Sequence, residues 1–222
     1  MNRRNLAIAS IVAVLALIVV SFIVGSGLPA DMQLPTHFGL GGQPDAYSGK
    51  WQALFVAPGM AAALSLLLWV LPALAPRRKN LERSMGLYYW SWASLLLLSA
   101  VIEFVIISAA MHWRLRVEHV IAGAIGVMFV IIGNQLGKSR SMYLVGIRTP
   151  WTLASEEVWI RTHRLGGKLM VAGGLAMLVA ALLPIPSGLL AGVSGASLAV
   201  MVVVPVVYSY LLWRRDRAQP SA

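Results

Sequence analysis

The stretch LAIASIVAVLALIVVSFIV, Leu6 to Val24, carries no charge and no proline and directly follows Asn2-Arg3-Arg4-Asn5. A helix rises 1.5 Å per residue, so roughly 20 apolar residues cross a hydrocarbon layer of about 30 Å. This run supplies them in one piece. A cleaved signal sequence has an apolar core of only roughly 7–15 residues, with small residues before its cleavage point. Here Leu28 stands where a small residue would precede a cleavage at Ala30, so the stretch reads as an uncleaved first span.

Working outward, five further runs follow at Leu54–Leu74, Leu87–Met111, Val117–Leu136, Leu169–Leu183 and Leu189–Trp213. The composition agrees: 59% hydrophobic and 12% charged residues, with a mean hydropathy of +0.76. A soluble domain holds roughly 45–50% and 25%. The expected fold is an all-α, multi-pass membrane protein of about six spans. Cysteine is absent, which excludes disulfides and thiolate metal or redox sites.

A net charge of +10 raises nucleic acid as a partner, and the distribution of the charges decides against it. With the amino terminus inside, the inner side receives Arg3, Arg4, Arg77, Arg78, Lys79, Arg83, Lys138, Arg140, Arg148, Arg161, Arg164, Lys168, Arg214, Arg215 and Arg217. Of the 18 basic residues only Lys50, Arg114 and Arg116 fall outside. Cytoplasmic loops concentrate Lys and Arg in this way, against anionic lipid headgroups. Both termini are therefore expected in the cytoplasm, and membrane lipid rather than nucleic acid is the expected partner of the charge. Trp51 and Trp113 outside, and Tyr88, Tyr89, Trp90, Trp92 and Trp213 inside, sit where aromatic rings anchor at headgroup level. Gly133-x-x-x-Gly137 and Gly188-x-x-x-Gly192 have the spacing that permits close helix approach. Pro58, Pro72, Pro184 and Pro205, in or near spans, suggest kinks.

Two polar stretches interrupt the spans, 26–50 outside and 138–168 inside, and loops of this kind carry function. They divide the chain into an expected amino-terminal three-span region, 1–112, and a carboxy-terminal one, 113–222. In the outer stretch, Gly39, Gly41, Gly42 and Pro44-Asp45 favour tight turns and a compact lid. His37 and Asp45 are two metal-ligand types without a third, so no metal is expected, and Asp45 is read as holding a turn through backbone amides. Within the third span, Glu103 is surrounded by Val101, Ile102, Phe104 and Val105. An unpaired carboxylate in hydrocarbon is costly, so Glu103 is expected to face the bundle interior, either on a proton or ligand path or bonded near an interface.

The inner stretch has the most specific sequence. Pro150 disfavours helix at Thr149, Thr152 or Ser155 can cap a helix, and Glu156 and Glu157 suit its first turn, with Arg161, His163 and Arg164 following. A short interfacial helix from about Leu153 to Leu165 is expected, with a Glu157–Arg161 pair. It either lies in the headgroup region or offers Arg148, Trp151, Trp159 and His163 for docking or for packing into the mouth of the bundle.

The run GIRTPWTLASEEVWIRTHRLGG, Gly146 to Gly167, resembles the signature of the SdpI family of bacterial membrane proteins, named for an immunity protein against a secreted toxin. The outer string PTHFGLGGQPDAYSGKW, Pro35 to Trp51, resembles the domain of unknown function that often precedes it. The resemblance carries the inner motif onto Asn134, Gly137, Gly146, Arg148, Thr149, Pro150, Trp151, Thr152, Leu153, Trp159, Thr162, His163 and Arg164. The outer motif carries onto Pro35, His37, Phe38, Gly42, Pro44, Asp45 and Lys50. Where family members often have Pro-Asn before the aromatic at Tyr143, this chain has Ser141-Met142, so a role resting on that Asn does not carry over.

The resemblance implies a multi-pass protein of the bacterial plasma (inner) membrane, without catalytic residues or cofactors. It implies immunity to, or signalling of, an extracytoplasmic antimicrobial peptide toxin met by the outer motif, with a repressor-like protein docking on the cytoplasmic side. The rival expectation is an ion-coupled transporter using Glu103, with His37 or His112 near its outer mouth. A membrane enzyme is not expected, because Arg148, Glu156 and His163 come with no evident nucleophile.

Overall fold

Asn2 starts the first helix by accepting the Asn5 amide at 2.8 Å, and α1 runs from Arg3 to Gly27. The computed structural model describes residues 2–39, 41–74 and 78–218. Leu40 of the outer string and Arg77 of the inner charge set lie outside the described residues, as do the side chains of Arg78 and Arg217. After α1 come the strands β1 (Gln33–Phe38) and β2 (Pro44–Gly49), then α2 (Lys50–Val70), which a 3₁₀ turn, Leu71–Leu74, extends through Pro72. The short α3 (Arg78–Arg83) leads into α4 (Met85–Ala110) and α5 (Val117–Leu136). The small α6 (Pro150–Ala154) is followed by α7 (Glu156–Leu182) and α8 (Ser187–Ala218). Six of these helices, α1, α2, α4, α5, α7 and α8, are long and apolar enough to cross a membrane. The all-α, multi-pass reading stands.

Two boundaries differ from the sequence expectation. The fifth span begins at Glu156, not near Leu169, because Ser155 caps it and Glu156 and Glu157 occupy its first turn, where the helix dipole favours acids. The expected interfacial helix from Leu153 to Leu165 is therefore divided: Pro150–Ala154 forms the short helix, and the rest is the amino-terminal end of α7. The outer stretch also adds what an all-α reading omits, an antiparallel hairpin that pairs Gln33 with Gly49 and Phe38 with Pro44. At the outer end of α4, the Trp113 amide bonds the Ser108 carbonyl and the His112 amide bonds that of Ala109. This cap holds His112 at a φ of 55°.

The helix pair at the centre is α5 with α7. Gly126 and Gly133 are seven residues apart and so share one face of α5; Gly167 and Gly174 do the same on α7. A Cβ on Gly126 would fall 2.7 Å from the Gly174 carbonyl oxygen, and one on Gly174 2.6 Å from that of Gly126. On Gly133 and Gly167 the reciprocal separations are 2.8 and 2.7 Å. The contact continues outward through Gly123 against Ala181 and inward through Gly137 against Arg164. In lipid, helices gain little from burying apolar surface and associate through dispersion at close range, which small residues permit. The expected role of Gly133 and Gly137 thus holds, but their partner is α7. Among the described residues, no atom lies within 4 Å of where a Cβ on Gly188 or Gly192 would be, so neither makes a close helix contact there.

Two apolar clusters bracket the bundle. The inner one joins Leu6, Leu81, Leu87, Tyr88, Trp92, Leu136, Met142 and Trp159, and the outer one joins Leu34, Ala53, Leu54, Ile106 and Ala110 beneath the hairpin. Tyr88 and Trp92 are each 1% exposed, which corrects their reading as headgroup anchors. Tyr88 donates its hydroxyl to the Leu68 carbonyl and Trp92 bonds the Ser65 hydroxyl at 3.2 Å, so both tie α4 to α2. Trp51, Trp90 and Trp113 remain exposed, as the belts require.

Gly174→Ala is expected to lower the stability of the purified protein by about 1–3 kcal/mol, because the added methyl overpacks a backbone contact. Gly192→Ala, in open space, is expected to leave stability unchanged or raise it, since alanine is the better helix former. Thermal unfolding in detergent measures both.

Candidate functional site

At the inner face, the chain leaves α5 at Leu136 and must turn back to start α7 at Glu156. Thr149 begins this return. Its hydroxyl accepts the Thr152 amide at 3.2 Å, the Thr152 hydroxyl oxygen accepts the Thr149 amide at 2.9 Å, and Pro150 fills the first turn, where its missing N–H costs nothing. The Thr152 hydroxyl also donates within the loop, with the Ile147 carbonyl at 2.9 Å. Ser155 then accepts the Val158 amide at 3.3 Å and starts α7. Of the two caps expected from sequence, Ser155 is used as such, while Thr152 serves as the reciprocal partner of Thr149.

His163 locks this loop to α7. Its Nδ1 lies 2.8 Å from the Trp159 carbonyl, an acceptor, so the ring hydrogen sits on Nδ1. Its Nε2 is then free to accept the Ile147 amide, at 2.9 Å. The ring stacks on Trp159 with centroids 3.8 Å apart, and Trp159 Nε1 donates to the Ser139 hydroxyl at 3.2 Å. Gly146 closes the loop over the pair with a φ of 128°; a Cβ there would lie 2.6 Å from His163 Nε2 and 2.9 Å from the Trp159 ring. Only glycine combines that φ with that approach. Trp159, Thr152, Thr162 and His163 are fully buried. Of the four side chains offered for docking or for packing into the mouth of the bundle, Trp159 and His163 are packed inside, whereas Arg148 is exposed and Trp151 is half-buried.

Other motif residues reach outward. Trp151 donates to the Ser209 hydroxyl and packs against Tyr210 and Trp213, which fastens α6 to α8. The exposed Arg148 donates to the Tyr143 carbonyl at 2.5 Å. Arg164 is exposed on α7 and touches Gly137 through its Cα. Arg161 meets Glu157 at 3.6 Å in the expected pair. Asn134 is exposed beside Trp90 and Gln135, away from the buried lock. Leu153 packs with the inner cluster. The accessible part of the motif is therefore a basic rim, and its centre is a structural lock.

The outer hairpin gathers the other motif. His37 Nδ1 and Asp45 Oδ1 are 2.5 Å apart across the strands, both largely exposed. Asp45 thus pairs with His37 rather than holding the turn through backbone amides. The turn is closed instead by the Gly39 amide on the Gln43 carbonyl and the Gly42 amide on that of Gly39, each at 2.9 Å, with Gly42 at a φ of 74°. Pro35 is buried in β1, Pro44 pairs with Phe38, and Phe38 is half-buried. Lys50 is only 7% exposed and donates to the Leu28 carbonyl at 2.6 Å. It clamps α2 to the end of α1 and does not share the exposed surface of His37 and Asp45.

The hairpin tip rests on the carboxy-terminal spans. A Cβ on Gly42 would strike the carboxyl of Glu118, which pairs with His119 at 3.2 Å and Arg116 at 3.6 Å. Beneath Phe38 and Gly42 lies a cavity of about 260 Å³ walled by Val117, Ile121, Met177 and Leu190. No local sequence pattern marks the contact of Glu118 with a loop far earlier in the chain. Glu103 is 2% exposed, as expected of a carboxyl facing the interior, and its Oε1 lies 2.7 Å from Ser21 Oγ, which also approaches the Leu54 carbonyl at 2.9 Å. These contacts join α1, α2 and α4. Among the described residues, no group of three His, Cys, Asp or Glu side chains is placed to hold a metal ion.

Comparison with known proteins follows the same two stretches. The SdpI/YfhL protein family matches residues 138–209, and a domain of unknown function, DUF1648, matches residues 11–62. The chain is 24% identical over 172 residues to Immunity protein SdpI of Bacillus subtilis (strain 168), a match that covers 78% of this chain and 79% of that protein. The resemblance read from the two motifs stands. No solved structure matches the chain.

Replacing His163 with Leu removes the acceptor of a part-buried amide and is expected to cost about 1–3 kcal/mol, the penalty of an unsatisfied buried group. Arg164→Gln, on the exposed rim, is expected to stay within about 0.5 kcal/mol of the parent. Thermal unfolding of the two purified variants separates lock from rim.

Proposed function

We propose that this chain is an immunity protein of a bacterial plasma membrane, protecting its cell from an extracytoplasmic peptide toxin. The observation that carries the reading is its similarity to Immunity protein SdpI along most of both chains, with the outer hairpin inside the stretch matched by DUF1648 and the inner lock inside that matched by the SdpI/YfhL family. The hairpin suits the role: it exposes the His37–Asp45 pair and Tyr47 and stands over the cavity beneath Phe38. A peptide that contacts these groups bears on the Gly42–Glu118 contact and hence on the outer end of α5. Because α5 is packed backbone to backbone on α7, a tilt of one moves the other, and α7 carries Trp159 and His163 at its inner end.

Signalling requires that the peptide bind one arrangement of this pair more tightly than another. The basic rim of Arg148 and Arg164 is then the surface whose exposure changes, and an acidic face on a cytoplasmic regulator is the partner it suits. Immunity itself needs only the outer half of this arrangement.

The test uses a Bacillus subtilis strain deprived of its own Immunity protein SdpI and grown beside its toxin-producing parent. The intact chain is expected to restore survival, Asp45→Ala to reduce it, and Arg148→Ala to leave it in place while altering any downstream response. Failure of the intact chain to protect, when immunoblots find it in the membrane, contradicts the proposal.

A further inference from the structure

Helices α1 and α2 pack directly on one another in their outer halves. There Ser21 bonds the Leu54 carbonyl, and the ring of Trp51 lies against Gly25 so tightly that a Cβ would collide with it. The buried residues of α2 all lie at or before Ala61. Beyond that point a groove of about 490 Å³ lies between the two helices. Its walls are Ala7, Ile11 and Val14 of α1 and Ala62 and Leu66 of α2, and Trp92 forms its floor. From Arg4 to Leu15 the groove follows α1 for roughly 16 Å at 1.5 Å per residue, the depth of about one leaflet.

The groove is apolar along its length and cationic at one end. The hydroxyls along it are already used: Ser10 bonds the Leu6 carbonyl, and Ser65 accepts from Trp92. At the inner mouth stand two arginines in different states. Arg3 is pinned, donating to the Trp69 carbonyl with its guanidinium 4.1 Å over the Trp69 ring. Arg4 lines the groove, is exposed, and makes no hydrogen bond or ion pair with the described residues. The charge bias puts this end in the cytoplasmic leaflet, where anionic lipids gather.

We propose that this groove binds one anionic phospholipid of the cytoplasmic leaflet, with an acyl chain lying between α1 and α2 and the phosphate at Arg4. The lipid fills the space between the inner halves of α1 and α2, beside the contact that the chain itself makes there through Arg3 on Trp69. This site is independent of the immunity reading.

The intact chain, purified from nanodiscs holding equal phosphatidylglycerol and phosphatidylcholine, is examined by native mass spectrometry for retained lipid. Phosphatidylglycerol is expected to be retained in preference, and added inorganic phosphate to leave it bound. Arg4→Gln is expected to reduce the preference about fivefold, the equivalent of the ~1 kcal/mol that one arginine contributes at an anionic surface. Lys168→Gln, an equal charge loss on the exposed side of α7, is expected to leave the preference intact. Ala62→Phe fills the groove and is expected to abolish retention; Ala7→Leu fills it from the other wall, so the test does not depend on one variant folding. Equal retention of both lipids by the intact chain, or an unchanged preference in Arg4→Gln, overturns the proposal. So does a protein dimer that disappears on filling the groove, which makes it an interface between copies.

Discussion

The approach of α5 to α7 at backbone distance is the constraint on which the rest of the chain depends. Four glycines set it, paired as Gly126 with Gly174 and Gly133 with Gly167. Antiparallel helices that pack this closely have little freedom to slide or rotate, because each step brings a Cβ onto a carbonyl. That pair carries the hairpin tip at its outer end, through Gly42 on Glu118, and the loop lock at its inner end, through Ile147 on His163. The remaining spans attach around it: α8 follows α7, and α4 brings α1 and α2 through Trp92, Tyr88 and Glu103.

The two motif-bearing stretches turn out to differ in kind. Outside, the motif builds a small hairpin whose specific side chains, His37 and Asp45, pair with each other and stay exposed. Inside, the side chains that look most available for chemistry or docking are the ones most deeply buried. His163 spends both ring nitrogens on backbone groups, and Trp159 spends its N–H on Ser139. What remains accessible inside is charge without a defined shape. A fixed lock inside and an open hairpin outside fit the proposed role, in which a peptide is met at the outer face.

The sequence made the spans legible because hydropathy over some twenty residues is a local property, and it made orientation legible because lysine and arginine are counted, not placed. It also exposed both motif stretches and the interior position of Glu103. The start of α7 was misplaced because hydropathy rises only at Leu169, whereas the helix starts where Ser155 and two glutamates satisfy its first amides. The hairpin was missed because its apolar residues do not alternate; Leu34 and Pro35 are both buried, against α2 and α4 rather than a sheet face. Lys50, placed in the outer recognition motif by resemblance, is a buried clamp, since its partner is a backbone carbonyl that no side-chain pattern encodes. Glycine spacing identified Gly133 and Gly137 as packing residues but gave no means of telling them from Gly188 and Gly192, because the partner helix is a tertiary fact.

The packing of α5 on α7 is tested most directly by a disulfide, and the absence of native cysteine leaves the result unambiguous. A Cβ on Gly123 lies 3.4 Å from that of Ala181, at the short end of the roughly 3.5–4.5 Å a disulfide spans. The account predicts that Gly123→Cys combined with Ala181→Cys oxidises in native membranes to an intrachain disulfide, and that Gly123→Cys combined with Cys at Gly192 does not. Two thiols at 123 and 181 that stay reduced while both react with a lipid-soluble maleimide would contradict it.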